Sequence, residues 1–210
     1  MKKDIILSGV GGQGILSIAT VIGQAATEAG VNLKQAEVHG MSQRGGDVQS
    51  NLRLSTEEIH SDLIPVAEAD IIIAMEPMEA LRYLPFLAKE GRIVTSSRPL
   101  KNIPNYPDEK QLMEELDSLG CVVMLDIEEI ASGAGKAKGS NMVLLGMAAP
   151  LLEIISEEQI RNAIRTIFAA KGQDVVEANL KAFDAGVNTV RKLATDSTIT
   201  RSLRLCPARR

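Results

Sequence analysis

The sequence contains little cysteine and few aromatic residues, and both shortages limit what the chain can be. Cys121 and Cys206 are the only two cysteines among 210 residues, whereas an iron–sulfur cluster takes about four cysteine thiolates. The chain is therefore not expected to hold such a cluster by itself, and no metal site is predicted. Aromatic residues make up 2% of the sequence and tryptophan is absent, so the core must be aliphatic. Parallel strands that are covered by helices on both faces have such a composition.

Long apolar segments and an excess of positive charge are also missing. No run of about 18 apolar residues occurs, so no membrane-spanning helix is predicted. The first residues, Met1-Lys2-Lys3-Asp4, lead directly into a predicted strand, whereas a signal peptide needs a longer apolar region and a cleavage site. The net charge of −4 argues against electrostatic binding of nucleic acid. We expect a cytoplasmic protein that contacts neither membranes nor nucleic acid.

Apolar runs and helix-like segments alternate through the first two thirds of the chain. That order predicts an α/β, Rossmann-like fold with a mostly parallel sheet, helices on both faces and a helical C-terminal segment. Residues 48–54 follow the second strand too closely for a helical crossover, so they are expected to form an antiparallel strand with one exposed polar face. Residues 1–194 are predicted to form one domain, and residues 195–210 a disordered, basic tail. The predicted strands are about residues 4–9, 33–38, 48–54, 59–64, 70–75, 91–97 and 121–125, and the predicted helices are about residues 15–29, 77–84, 108–119, 126–131, 141–153, 156–172 and 174–193.

A glycine-rich turn joins the first predicted strand to the first predicted helix. Gly9, Gly11 and Gly14 match the pattern G-x-G-x-x-G at the junction where that pattern binds nucleotides. Glycine permits a tight turn and a close approach of backbone N–H groups to a ligand, and the helix N-terminus favours an anion such as phosphate. Two interpretations stay open: the turn binds a phosphate group, or it only packs the first helix closely onto the sheet. Glu37 is the candidate acidic residue for a ribose hydroxyl.

A second glycine-rich loop follows the second predicted strand, from His39 to Asp47. Within it, Arg44 could bind a phosphate or carboxylate through its guanidinium group, or pair with Asp47 or with an acidic partner surface. Asn141 could cap the apolar helix or face a ligand at the carboxyl end of the sheet. The sequence has no G-x-S-x-G, H-E-x-x-H or P-loop pattern, so no catalytic residue is predicted.

Four stretches together resemble a known family: residues 9–14 (GVGGQG), 37–46 (EVHGMSQRGG), 74–81 (AMEPMEAL) and 141–146 (NMVLLG). With them, roughly residues 4–193 resemble the gamma-type domain of 2-oxoacid:ferredoxin (or flavodoxin) oxidoreductases. Within that family, the chain is similar to the small beta subunit of indolepyruvate:ferredoxin oxidoreductase. The combination of G-G-Q-G with H-G-M-S-Q-R-G-G makes the resemblance far more specific than a single G-x-G-x-x-G.

The resemblance implies a subunit without activity of its own. Complexes of this family oxidatively decarboxylate a 2-oxoacid on thiamine diphosphate, pass electrons through iron–sulfur clusters to ferredoxin and form an acyl-CoA. Thiamine diphosphate and the clusters would lie on a larger partner chain, while this chain would help to form the coenzyme A site or dock the partner. No cofactor is expected on this chain alone. The motif and the resemblance together suggest as site residues Gly9, Gly11, Gly12, Gln13, Gly14, Ser42, Gln43, Arg44 and Asn141.

Other interpretations use the same features. The glycine turn could serve a free-standing oxidoreductase that binds NAD(P) or a flavin, or a regulatory module that senses a nucleotide. Within the family, the substrate could be indolepyruvate, another aryl 2-oxoacid, pyruvate or 2-oxoglutarate. Because the chain has only three Phe and two Tyr, we expect the partner to recognise the substrate side chain. The apolar helix at residues 141–152 is the predicted contact with that partner.

Overall fold

A computed structural model of the chain describes residues 1–39, 46–135 and 138–195. Within these residues, six strands form one sheet and seven α-helices pack around it. The strands are β1 (Lys2–Val10), β2 (Asn32–His39), β3 (Asp47–Ser55), β4 (Ala69–Ala74), β5 (Leu87–Ser96) and β6 (Val122–Leu125). The helices are α1 (Ile15–Glu28), α2 (Pro77–Arg82), α3 (Glu109–Ser118), α4 (Ile127–Gly133), α5 (Ser140–Leu152), α6 (Glu157–Phe168) and α7 (Gln173–Thr195), with 3-10 turns at Leu84–Phe86 and Ala169–Lys171.

The strands follow the order β2-β3-β1-β4-β5-β6 across the sheet. β1, β4, β5 and β6 pair in parallel, whereas β3 runs antiparallel to both of its neighbours. The predicted α/β fold and the antiparallel direction of residues 48–54 are therefore confirmed. The predicted exposure of the polar face of that strand is wrong at Asn51, which is 3% exposed. The reason is that β3 lies inside the sheet and residues 56–68 cover this face, with the Ile64 N–H donating to Asn51 Oδ1 at 3.4 Å.

Two apolar cores lie on opposite faces of the sheet. The larger core packs against α1 and the C-terminal helices α4 to α7, and the smaller one packs against α2 and α3. The chain therefore leaves β1 toward one face and leaves β4, its neighbour in the sheet, toward the other. In α/β folds, the crevice at such a switch point, outside the carboxyl ends of the strands, is where ligands bind.

Helix α5, which was predicted to contact a partner, is instead the centre of the larger core. Nine of its 13 residues are buried, as expected of a helix that is apolar on all sides. It packs closely against α7 where Gly146 faces Gly186 and its neighbours. The prediction that residues 141–152 form a docking surface is therefore wrong, because α7 of the same chain covers them.

Residues 59–64, which were predicted to form a strand, are irregular. β3 ends at the same edge of the sheet at which β4 begins, so the connection needs no further strand. The Arg53 guanidinium holds this connection by donating to the carbonyl oxygens of Ser61 and Leu63 at 3.1 and 3.0 Å. Arg53 also forms a bidentate ion pair with Asp4, which is fully buried.

The C-terminal helices begin and end close to their predicted limits. The predicted capping box at the start of α6 is confirmed, with Ser156 and Gln159 each bonded to the other's backbone N–H. α7 continues to Thr195, the first residue of the predicted tail, and residues 196–210 lie outside the described residues. Among the helices that the structure describes, none is both long and apolar enough to cross a membrane.

Candidate functional site

Residues 11–14, here called the glycine turn, carry the chain from the end of β1 into α1. Gly12 and Gly14 have φ angles of 99° and 89°, in the left-handed region that favours glycine. Gly14 is also the N-cap residue of α1, and a Cβ atom there would lie 2.7 Å from Nδ2 of Asn141. Both backbone conformation and close packing therefore require glycine at position 14.

The Gln13 side chain braces the glycine turn from within. Its Oε1 accepts a hydrogen bond from the Val10 backbone N–H at 2.7 Å, and the Gln13 N–H donates to the Val10 carbonyl at 3.1 Å. Gly9 leaves room for this oxygen, because a Cβ atom at position 9 would lie 2.9 Å from it. Gln13 thus fixes the shape of the turn, and its carbonyl oxygen is bonded to the backbone of the same chain.

Asn141 brings the N-terminus of α5 to the same turn. Its Nδ2 donates to the Gly14 carbonyl at 3.4 Å, and its Oδ1 accepts from the Met142 N–H at 2.9 Å. The N-termini of α1 and α5 therefore meet at the carboxyl edge of the sheet. The first backbone N–H groups of a helix have no acceptor within it, and the positive ends of two helix dipoles favour an anion at this point.

The second glycine-rich loop returns to the glycine turn at its C-terminal end. The Gly11 N–H donates to the Gly46 carbonyl oxygen at 2.9 Å, which joins the two segments directly. The loop residues that were predicted to contribute to the site lie outside the described residues, and their role stays a prediction: Ser42, Gln43 and Arg44.

A depression of about 280 Å³ opens beside the glycine turn. Leu16, in the first turn of α1, forms part of its rim and is 39% exposed. Ligand pockets of about 300–1,000 Å³ hold whole small molecules, so this depression has room for only part of a ligand. Among the described residues, those that line it carry no charge; they are Val10, Gly11, Gly12, Gly14, Ile15, Leu16 and Val48.

Glu37, the candidate partner for a ribose hydroxyl, is not close to the glycine turn. It lies on β2, and β3 separates β2 from β1. Two strand spacings place it roughly 10 Å from β1 across the sheet. Its carboxylate instead accepts a hydrogen bond from the Gln35 side chain. The predicted ribose contact is therefore wrong for this sheet order, which weakens the dinucleotide interpretation.

A buried carboxyl group at the end of β4 has no counterpart among the predicted site residues. Glu76 is fully buried and caps α2, since its Oε2 accepts from the Glu79 N–H at 3.0 Å. Pro77 occupies the first turn of α2, as predicted. Burial raises the pKa of Glu76 even though three donors bond to its carboxyl group. An acidic residue between a buried strand and such a proline is a local signal for this cap.

Comparisons with known proteins identify the family and the fold of the chain. Residues 4–189 match the family model described as pyruvate ferredoxin/flavodoxin oxidoreductase. Indolepyruvate oxidoreductase subunit IorB from Thermococcus kodakarensis is 38% identical over 203 residues, covering 92% of this chain and 98% of that relative. The resemblance that the four sequence stretches suggested is thereby confirmed.

Two solved structures share the fold. The gamma subunit of a keto/oxoacid ferredoxin oxidoreductase from Geobacter sulfurreducens matches with a TM-score of 0.66 and 23% identity, covering 90% of this chain and 99% of that one. A 2-oxoglutarate:ferredoxin oxidoreductase from Magnetococcus marinus, with 2-oxoglutarate, coenzyme A and succinyl-CoA bound, matches with a TM-score of 0.71 and 23% identity. This chain covers 31% of the latter, so the same fold occurs there as one part of a longer chain.

Proposed function

Because this chain belongs to the pyruvate ferredoxin/flavodoxin oxidoreductase family, we propose that it is the small subunit of a 2-oxoacid:ferredoxin oxidoreductase. The proposed reaction is the oxidative decarboxylation of indolepyruvate or another aryl 2-oxoacid: the oxoacid and coenzyme A yield carbon dioxide and an acyl-CoA, and ferredoxin takes up the electrons. The observation that carries this proposal is the 38% identity to an indolepyruvate oxidoreductase subunit along 98% of that relative. We place the complex in the cytoplasm.

The redox cofactors of such a complex do not fit this chain. The whole sequence has two cysteines, and the described residues contain no group of three or more His, Cys, Asp or Glu side chains that could hold a metal ion. We therefore assign the iron–sulfur clusters to a larger partner subunit, and the family membership implies that thiamine diphosphate is bound there as well. Thiamine diphosphate would supply the carbanion chemistry of decarboxylation on that subunit, and this chain would contribute a binding surface.

We propose that the glycine turn binds the diphosphate of coenzyme A. Its depression of about 280 Å³ is large enough for that group, and backbone N–H groups at the start of α1 supply donors for an anion. Gln13 and Asn141 hold the turn in shape through bonds to its backbone. Arg44 precedes Gly46 by two residues in the sequence and is the proposed cation of the site.

The partner subunit could instead cover the same surface. Substitutions of Leu16 distinguish ligand binding from partner docking. Leu16→Glu places a negative charge on the rim of the depression, whereas Leu16→Gln changes polarity without charge. The first turn of α1 has no acidic residue, and an acid there favours the helix, so the glutamate variant is expected to fold. Repulsion of roughly 1 kcal/mol predicts a rise of about fivefold in the KM for coenzyme A, with kcat unchanged.

The experiment is co-expression with the larger subunit, anaerobic purification and a spectroscopic assay of ferredoxin reduction. We expect activity only when both chains are present, and a higher kcat/KM for indolepyruvate than for pyruvate or 2-oxoglutarate. A chain that never associates with a larger subunit would overturn the proposal. If Leu16→Glu and Leu16→Gln both prevent assembly, the surface docks the partner and the coenzyme A assignment is wrong.

A further inference from the structure

The connection between β3 and β4, residues 56–68, exposes several apolar side chains close together in the sequence. Leu63 and Val66 are 57% and 65% exposed, and Pro65 and Ala67 are exposed as well. These four residues are here called the amino-edge patch, because the connection lies where the parallel strands β1 and β4 begin. Single exposed apolar residues are ordinary on a protein surface, whereas a group of them marks a contact site. The other large apolar side chains that are exposed in the described residues lie far apart in the sequence: Met1, Leu16, Val38 and Leu100.

Hydrogen bonds and one buried side chain fix the amino-edge patch in place. The Arg53 guanidinium donates to the Leu63 carbonyl oxygen at 3.0 Å, and the Ala67 N–H donates to the Pro85 carbonyl oxygen at 3.1 Å. Between these two points, Ile64 is only 3% exposed and packs in the smaller core. A surface that is ordered before it binds loses little conformational entropy on binding.

The turn at the tip of the patch points Val66 into solvent. The Glu68 N–H donates to the Pro65 carbonyl oxygen at 3.3 Å and closes the turn, so Val66 and Ala67 are its central residues. Ala67 has a φ angle of 62°, in the left-handed region where a turn of this kind normally has glycine or asparagine. Backbone strain of this kind is concentrated at functional sites, which favours a role for the exposed Val66 beyond folding.

Acidic residues surround the apolar side chains in the same segment. Residues 56–68 contain four carboxylates and neither Lys nor Arg, and all four carboxylates are exposed. Among the described residues, the one ion pair that they form is Glu68 with Lys2, at 3.8 Å. Such a surface complements one that is apolar at its centre and carries Lys or Arg around it. A second copy of this chain would instead bring like charges together, which disfavours self-association through the patch.

We infer that the amino-edge patch docks the larger subunit of the complex, through an apolar surface that is flanked by Lys or Arg. The inference rests on the proposed function, which supplies this partner. It also replaces α5 as the docking surface, since α5 is covered by α7. The patch lies at the edge of the sheet opposite the glycine turn, so docking there leaves the depression beside the glycine turn open to a ligand.

Substitutions of the two most exposed residues test the apolar part of this surface. Val66→Lys puts a cation where the partner is expected to be apolar and basic, and Leu63→Ser removes apolar area without charge. Val38→Lys is the matched control, because Val38 is 53% exposed and lies on the edge strand β2. The dissociation constant for the separately purified larger subunit is measured anaerobically by interferometry, and circular dichroism checks the fold of each variant.

We expect Val66→Lys to raise the dissociation constant about tenfold, as for a residue at the centre of an interface, and Leu63→Ser to raise it about threefold. Val38→Lys should bind like the wild type. In the complex, amide hydrogen exchange should become slower in peptides from residues 56–68.

The double variant Glu58→Gln/Asp62→Asn tests the charge of the partner. Removal of two carboxylates should slow association about threefold at low salt, because opposite charges steer the encounter, and the difference should disappear at high salt. An association rate that is unchanged at low salt would overturn the basic character of the partner surface.

The possible failures are distinguishable. If the wild-type chain binds no larger subunit, the proposed function and the docking surface are both wrong. If the wild-type chain binds but Val66→Lys and Leu63→Ser bind equally tightly, or Val38→Lys weakens binding as much as Val66→Lys, only the docking surface is wrong. A concentration-dependent dimer of the isolated chain that Val66→Lys abolishes would show that a second copy covers the patch, and would overturn the inference in the same way.

Discussion

Replacing Gly146 with alanine is expected to destabilise the larger core strongly. A Cβ atom at this position would lie well inside van der Waals contact with the Phe183 carbonyl oxygen and 3.0 Å from the Val187 nitrogen. Gly186, on the facing helix, is packed equally closely, since a Cβ atom there would overlap the Val143 carbonyl oxygen. Both clashes involve helix backbone, which cannot rotate away as a side chain can.

The magnitude follows from how far the helices must separate. Nonpolar atoms pack at about 3.5–4.0 Å, so α5 and α7 must move apart by about 1 Å or more, and a gap of that size removes a quarter to a half of the dispersion energy of facing atoms. Overpacking of a core costs about 1–3 kcal/mol and occasionally more; we expect about 3 kcal/mol because backbone is involved. For a chain of this length, that free energy lowers the Tm by roughly 6–12 °C.

Thermal and urea unfolding, followed by circular dichroism, measure this effect. The matched control is Gly133→Ala at the end of α4, where a Cβ atom would meet no atom within 4 Å and alanine favours the helix. The double variant Gly146→Ala/Gly186→Ala should cost less than the sum of the single variants, because one separation of the helices relieves both clashes. A Gly146→Ala protein as stable as Gly133→Ala would refute the reasoning about helix contact.

Three further changes test other parts of the structure. Arg53→Met removes the bidentate partner of Asp4, which is 0% exposed. Because Lys2 Nζ still lies 2.9 Å from Asp4 Oδ2, we expect the free energy of unfolding in a urea titration to fall by about 3 kcal/mol, the lower end of the range for a broken buried ion pair; a loss below that of an exposed ion pair would contradict the buried geometry. Ser156→Ala removes the confirmed capping box and should lower it by about 1 kcal/mol, whereas Ser156→Asp, which retains a cap, should not. Glu76→Gln tests pH dependence: burial raises the pKa of Glu76 above 4.5, so its contribution to stability is full below that value and is lost as pH rises through the folded-state pKa. The wild-type stability relative to Glu76→Gln should therefore fall with rising pH across that window, and a difference independent of pH would contradict the raised pKa.

Local patterns were sufficient to predict most of the elements. The helical spacing of Ile15, Ile18 and Ile22 identified α1, and the Ser156–Gln159 capping box identified the start of α6. These signals depend only on residues that are close in the sequence, so they do not depend on how the rest of the chain folds. The glycine turn was predicted for the same reason, because its positive φ angles are a property of Gly12 and Gly14 themselves.

Contacts between distant segments could not be predicted in this way. The apolar run in α5 correctly indicated a helix but not what covers it, since the glycine that admits α7 lies 40 residues later, at position 186 against position 146. Similarly, Glu76 and Pro77 indicate a helix start, but nothing near them indicates Tyr106, 30 residues away. Each of these contacts depends on which elements pack together, and that information is spread over the whole chain.

Sheet order explains why the glycine motif led to a wrong expectation for Glu37. In a dinucleotide site, the acidic residue lies on the strand beside the glycine-rich one. Here β3 occupies that place, and the pattern of residues 48–54 indicates its direction but not its neighbours. The β2–β3 connection then ends at Gly46, which bonds to Gly11 of the glycine turn. The place of a ribose-binding acid is thus taken by β3, so we expect the motif in this sheet to bind a phosphate group without a ribose contact from Glu37.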